Sequence, residues 1–543
     1  MRCSRRPARP VLVAPQQLET RLALAGDVKA SLQNGLLKLI GDGADNAVVI
    51  ERQLAGFGGQ GLRVRSTDGS TGIVFNGQRS NDLVFTGVAR LEVKMGGGDD
   101  AISVGSVLSV DLTAALFDLG NGNDALNLVH LGVTGSMSVR TGSGSDTVDT
   151  GILRVSGSST VDTGSGNDRV SFAPDVILQG LLMITLGSGD DELVAQGPQA
   201  AYEEDFTITL VEGDDAPSPN EQRKEVEVTF RDVGVKAGDG SDRVSFIGPI
   251  DILGSMTVDM GAGDGEQLRI VAGLVETLTE FGPAHDRQFT FIDDLFAPLI
   301  RNGLSISKGR GSVEVDAVGG AFSLVRAFIK DGTTGFVDEI DAAPLAGGQR
   351  RPETVLVGNA VSINLEKAGS SQVVIDRMTA LGNVTVKTGK AADQISVRST
   401  AFAGKALITA NRGDAVVSLE DVRGGGLEVT TDSGIDTVGF KNVVTAGSFS
   451  IKTGNGDDAI DLTDVDAGGK LSIDSGRNDD LVRTQSVGAI EGVFFNLGSG
   501  DDRFEFKDLD VGEDGVIDGG SGLDSIRTIG LIPVLLPGVV NFE

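Results

Sequence analysis

A five-residue phrase, Gly-x-Gly-x-Asp, returns along this chain on a nearly fixed metre, and that metre limits the possible folds more than any other feature. It closes on Asp124, Asp146 and Asp168 at intervals of 22 residues, and at the same interval on Asp458, Asp480, Asp502 and Asp524, the copy ending at Asp480 being looser. Self-similarity at such a period marks a stack of units, each burying its apolar face only against its neighbours.

Each Asp is followed by alternating residues, as in Ala125-Leu126-Asn127-Leu128, Arg169-Val170-Ser171-Phe172 and Ala459-Ile460-Asp461-Leu462. Period-2 alternation of this kind is the pattern of a half-buried strand. A second alternating run leads back into the glycines, as in Ser159-Thr160-Val161-Asp162-Thr163 before Gly164. With 78 Gly and few apolar runs at helical spacing, helices have no place. The pattern predicts an all-β chain, a right-handed parallel β-helix (solenoid) with about 22 residues per coil. The glycines mark a turn that needs positive φ or close approach of the chain to the next coil.

Stacked coils lie about 4.8 Å apart, so the aspartates form a column. Two carboxylates at that spacing repel by about 0.9 kcal/mol in water and about 3.5 kcal/mol at an effective dielectric of about 20. Such a ladder needs a compensator. Either the side chains turn inward to accept backbone N–H groups in Asx-type turns, or cations sit between coils.

The segment Gly519-Gly520-Ser521-Gly522-Leu523-Asp524-Ser525-Ile526-Arg527 matches in full the G-G-x-G-x-D-x-U-x nonapeptide, and the chain here resembles the RTX (repeat-in-toxin) family. Near copies end at Asp45, Asp100, Asp124, Asp146, Asp168, Asp191, Asp242, Asp458 and Asp502, most with Thr, Leu or Met in place of the first Gly. The resemblance implies calcium bound between stacked turns by the Asp carboxylate and glycine-loop carbonyls. The expected ligands are Asp100, Asp124, Asp146, Asp168, Asp191, Asp242, Asp436, Asp458, Asp480, Asp502 and Asp524. RTX nonapeptides run in tandem, whereas this chain has one motif per coil, so only one side of the coil could carry an ion row.

The formal net charge of −31, with further acids at Asp99, Asp190, Asp457, Asp479 and Asp501, suits hard cations with oxygen ligands. Two His and a single Cys exclude a zinc or thiolate framework. The charge also argues against nucleic acid as a partner. Residues 1–25 form a basic start with a short apolar run, and Gln17-Leu18-Glu19-Thr20-Arg21-Leu22-Ala23-Leu24-Ala25 resembles the L-E-x-R-x-L leaders of large exported bacterial repeat proteins. That implies an extracellular or cell-surface protein, with calcium ions and surface or matrix components as its partners. No segment reaches the ~18 apolar residues of a membrane span.

Beyond the leader, the metre divides the chain into a first array over 26–265, a degenerate or inserted stretch over 266–360, a second array over 361–530 and an apolar, proline-broken cap over 531–543. A polar loop at residues 216–224 should bulge from one coil, and Ala415 stands where an Asp is due. Parallel β-helices often act on polysaccharides, so an enzyme is the alternative reading. Sugar sites want aromatic platforms, and this chain has no Trp and only Tyr202. The one irregular polar cluster, His285, Asp286, Arg287, Asp293 and Asp294, reads as solvated loop charge. The expectation is a non-enzymatic repeat protein that binds calcium, with a metal-free rod as the third alternative.

Overall fold

The computed structural model describes residues 26–529 and 538–542, except for 56–58, 68, 198–227, 249, 272–278, 281–288, 291–298, 301–303, 309–312, 319–354 and 511–514. The described residues contain no helix and fold as a parallel β-solenoid of about 15 turns at roughly 22 residues per turn. One 44-stranded sheet carries almost every strand.

One coil shows why. After Asp124, the strand Ala125–Val133 runs along a first face, bends at Val129, and continues along a second. Met137–Ser143 forms the third face and delivers the chain to Gly144, Ser145 and Asp146. Leu126, Leu128, Leu131, Val133, Met137 and Val139 are buried, so on each face alternate residues enter one continuous core. In-register pairing repeats the arrangement upward: Ala125 opposes Thr147, which opposes Arg169, and Val139 opposes Val161. Branched side chains thereby stack on their own kind along the axis.

The two arrays are joined without a break in the stack. Glu266–Val271, Val313–Val318 and Ser371–Asp376 pair in parallel register, so residues 266–360 contribute coils that link one array to the other. Three long intervals, 198–227, 272–298 and 319–354, each lie between a first-face strand and a second-face strand. All three therefore fall at the same step of the coil, where the chain passes from the first face to the second. A short antiparallel pair, Thr279–Glu280 with Phe289–Thr290, lies within the second. Where the second array has no interval, that corner is turned by single residues in the left-handed region: Arg377, Ser399, Asp421, Asn442, Asp464, Ser486 and Asp508, with φ between 45° and 56°. The polar loop 216–224, Tyr202 and the cluster around His285 lie outside the described residues, as do residues 1–25 and 530–537.

The N-terminal end departs from a simple array. Asp27–Gln33 pairs antiparallel with Leu36–Ile40, and Ala47–Ala55 with Gly59–Ser66, which pairs antiparallel with Asp82–Thr86. These hairpins close the parallel stack, protecting an edge that would otherwise be open to pairing. Asn34-Gly35 turns the first of them, and Asn76-Gly77 turns a further antiparallel pair, Gly72–Phe75 with Gln78–Ser80, each with both residues at positive φ, the type I′ geometry that matches strand twist.

At the glycine turn, successive coils approach too closely for a side chain. Gly144 has φ 124°, and a Cβ there would lie 1.9 Å from the carbonyl oxygen of Gly122 in the coil below. Gly144→Ala should therefore cost about 3 kcal/mol, from strained backbone and a displaced coil. Calorimetric melting of the variant against the parent checks this, with Gly439→Ala, which meets nothing within 4 Å, as the tolerated control.

Candidate functional site

At the glycine turn the chain leaves the backbone ladder, and the N–H of the Asp that follows has no strand carbonyl opposite it. The carboxylate of the next coil supplies the acceptor. Asp100 N–H donates to Asp124 Oδ1 at 2.7 Å, Asp124 to Asp146, Asp146 to Asp168 and Asp168 to Asp191 each at 2.8 Å, and Asp191 to Asp242 at 3.0 Å. In the second array Asp436, Asp458, Asp480 and Asp502 repeat the bond to the following Asp at 2.8–2.9 Å, ending on Asp524. All eleven residues singled out by sequence stand in this column and are buried to 2% exposure or less. The side chains do turn inward, yet each bond runs between coils and not within one Asx turn.

Three members escape the motif. Asn46, not Asp45, holds the inward position at the start, donating its N–H to Asp100 Oδ1 at 2.7 Å. Asp393 accepts from Ser371 N–H at 2.8 Å, although Ala391 stands where the motif's second glycine is usual. In the coil of Gly261-Ala262-Gly263-Asp264-Gly265 the register gives the position to Glu266, one residue beyond the motif's fifth place, which Gly265 fills. Ala415 contributes no carboxylate, and its N–H is taken by Asp436 Oδ1 at 2.8 Å.

The residue before the inward Asp forms a second row, facing solvent and bonded in the opposite direction. Asp45 accepts from Asp99 N–H, Asp99 from Asn123, Asn123 from Ser145, Asp190 from Ser241, Asp457 from Asp479, Asp479 from Asp501 and Asp501 from Leu523. The inward carboxylates thus hold the coil below, and the outer acids hold the coil above. The extra acids beside the motif have the same task as the motif itself.

The inward column is electrostatically strained. Burial pushes the carboxyls of Asp100, Asp191 and Asp480 up to about 7 and those of Asp124, Asp168 and Asp502 up to about 6. Desolvation also raises Asp146, Asp242, Asp393, Asp436 and Asp458. The N–H bond opposes each shift, and hydroxyls five residues upstream do so at Thr141, Thr163, Thr388, Thr431, Thr453 and Ser475. Thr141, Thr431, Thr453 and Ser475 also donate to main-chain carbonyls of the next coil at 2.8–2.9 Å. Oδ2 of every inward Asp has no hydrogen-bond partner among the described residues. No group of three or more His, Cys, Asp or Glu converges into a metal cluster among them.

No family model and no curated protein matches this chain. The repeat's own geometry therefore carries the functional argument.

A carboxyl whose pKa is raised on folding keeps its proton in the folded chain at a pH where the unfolded chain has released it. The column's contribution is thus in place below the unfolded value of about 3.9 and is lost as pH rises through the folded values of about 6 to 7. Melting temperature should fall between pH 5 and pH 8. Asp480→Asn keeps an acceptor for Asp458 N–H without a buried charge, and should melt at or above the parent at pH 8. Asp480→Ala leaves that N–H unpaired and should lose about 1–3 kcal/mol. Melts of the three proteins across this range check both statements.

Proposed function

We propose that this protein is a structural rod, an exported and non-enzymatic repeat protein of the cell surface or extracellular matrix. The observation that carries the reading is the assignment of the repeated acids. On the inner row and on the outer row, carboxylate oxygens accept main-chain N–H groups of adjacent coils. The chain's most repeated chemistry is thereby used in stacking, which is what a long scaffold requires.

Other features agree. The L-E-x-R-x-L leader supports export, and Cys3 as the sole cysteine leaves coil stacking to stabilise the rod in place of disulfides. A net charge of −31 keeps such a rod soluble and unattractive to nucleic acid. No helix among the described residues is long and apolar enough to cross a membrane. The scarcity of aromatic residues disfavours a polysaccharide lyase or hydrolase. Incubation with pectin, alginate and other acidic glycans should release no new reducing or unsaturated ends. Turnover lost on Asp293→Ala or Asp294→Ala would make the protein an enzyme.

A second reading, calcium held between stacked turns, is favoured by the unpartnered Oδ2 atoms at every inward Asp. Each coil with an inward Asp offers one such oxygen, and the rest of the roughly six to eight that calcium takes would come from turn carbonyls and water. Affinity of the extracellular class, about 10⁻⁴ to 10⁻³ M, is expected, and binding at a hundredfold excess over Kd adds about 2.7 kcal/mol per site. In this reading melting rises with millimolar Ca²⁺, less with Mg²⁺, and Asp480→Asn with Asp502→Asn blunts the rise. Identical melts in calcium and in chelator leave the rod without ions.

A further inference from the structure

The stack changes character at one place in its core. The inward column passes from Asp242 to Glu266, and then to Val313, which carries no carboxyl. Lys308, five residues before Val313, stands in the interior row that elsewhere holds Thr141, Thr163, Thr431 and Thr453. Its Nζ lies 2.7 Å from Glu266 Oε1, and both side chains are 0% exposed. The main-chain carbonyls of Gly263 and Gly261, at 3.0 and 3.4 Å, hold the nitrogen over the carboxyl. Glu266 Oε2 is buried without a hydrogen-bond partner among the described residues, as is Oδ2 of Asp242 in the adjoining coil. Asp242 interacts electrostatically with both members of the pair.

The geometry points to a covalent cross-link: Lys308 and Glu266 condense into an intramolecular amide between Nζ and Cδ. Burial pushes the Glu266 carboxyl up to about 7, so transfer of a proton from the ammonium to the carboxylate removes two charges from a dry interior. The nitrogen lone pair then attacks Cδ, forming the N–C bond. Asp242 takes a proton from nitrogen and passes it to Oε2, Oε1 gives up its proton to the same oxygen as the Cδ=Oε1 bond re-forms, the Cδ–Oε2 bond breaks, and water leaves. Ammonium and carboxylate give amide and one water, with no oxidant, reductant or cofactor. Holding the two groups in contact supplies the effective concentration that condensation in water lacks.

The position explains the need. A fully buried ion pair contributes little net stability because desolvation cancels its attraction. A covalent bond from 266 to 308 closes a loop of chain that contains the interval 272–298, between a first-face and a second-face strand. With no cysteine beyond Cys3, no disulfide can do this. The amide would restrict the unfolded chain as a disulfide does.

Intact mass spectrometry of the full chain tests the cross-link directly. The protein should be lighter by one water than its sequence mass, and trypsin should yield residues 244–269 joined to 302–310, uncut after Lys308. Lys308→Arg keeps a cation but cannot form the bond, and should return the full mass and a lower melting temperature. Asp242→Asn keeps an acceptor for Asp191 N–H, 3.0 Å away in the parent, and should slow joining at least about tenfold, since proton shuttling by a positioned side chain is worth about 10² or more. A parent chain at full sequence mass, with the two peptides separate, overturns the cross-link. An Asp242→Asn chain that joins as fast as the parent overturns the proton relay.

Discussion

A parallel solenoid satisfies its backbone by pairing each strand with the strand above and below, and it fails to do so where the chain turns. The N–H of the residue after the glycine turn would be buried without an acceptor, a cost of about 1–3 kcal/mol in every coil. The inward Asp resolves this by reaching one coil down, and much of the rest follows from that bond. The glycines at positive φ bring adjacent turns close enough for it, and in-register stacking of the faces gives it nearly the same length from Asp100 to Asp524. The outer row performs the converse task, so each coil is tied to its neighbours from both sides.

The solution carries an electrostatic penalty. A side chain short enough to fit the turn and rich enough in oxygen to serve it is an acid, and burial raises its pKa toward neutrality. Hydroxyls at Thr163, Thr453 and Ser475 moderate this where the row supplies them, while Leu119, Leu186 and Leu497 occupy the equivalent position elsewhere. Protons, cations or an interior lysine are chemically distinct answers to the same unmatched oxygen. Lys308 beside Glu266 is the instance in which the chain carries its own cation.

The sequence made the coil legible because one turn imposes two glycines and an acid at fixed offsets, and because alternation on the faces is strict. It was less legible where geometry tolerates several residue types. The second corner of the later coils is a left-handed position filled in turn by Arg377, Ser399, Asp421, Asn442 and Asp464, and no single residue type betrays it. Asn478 takes φ 78° in the row that Gly456 and Gly500 otherwise fill, which is why the copy ending at Asp480 looks loose. Glu266 was hidden because its coil is two residues longer, so that the acid falls one place beyond the motif. The N-terminal hairpins had a local signal in Asn34-Gly35 and Asn76-Gly77 that the dominant metre obscured. What the inward carboxylates bond to was undetermined, since an Asx turn and a bond between coils ask for the same residue.

The three long intervals all fall at one step of the coil, between the first face and the second. Lengthening a loop costs only about 0.6 kcal/mol per doubling, provided the strands on either side return to register, as Val228, Leu299 and Val355 do. That step is free to diversify in length and charge while the bonded rows at the glycine turn stay under constraint. The molecule thereby separates one step of the coil that can change in length from a spine that cannot, and new recognition properties can arise at the first without renegotiating the second.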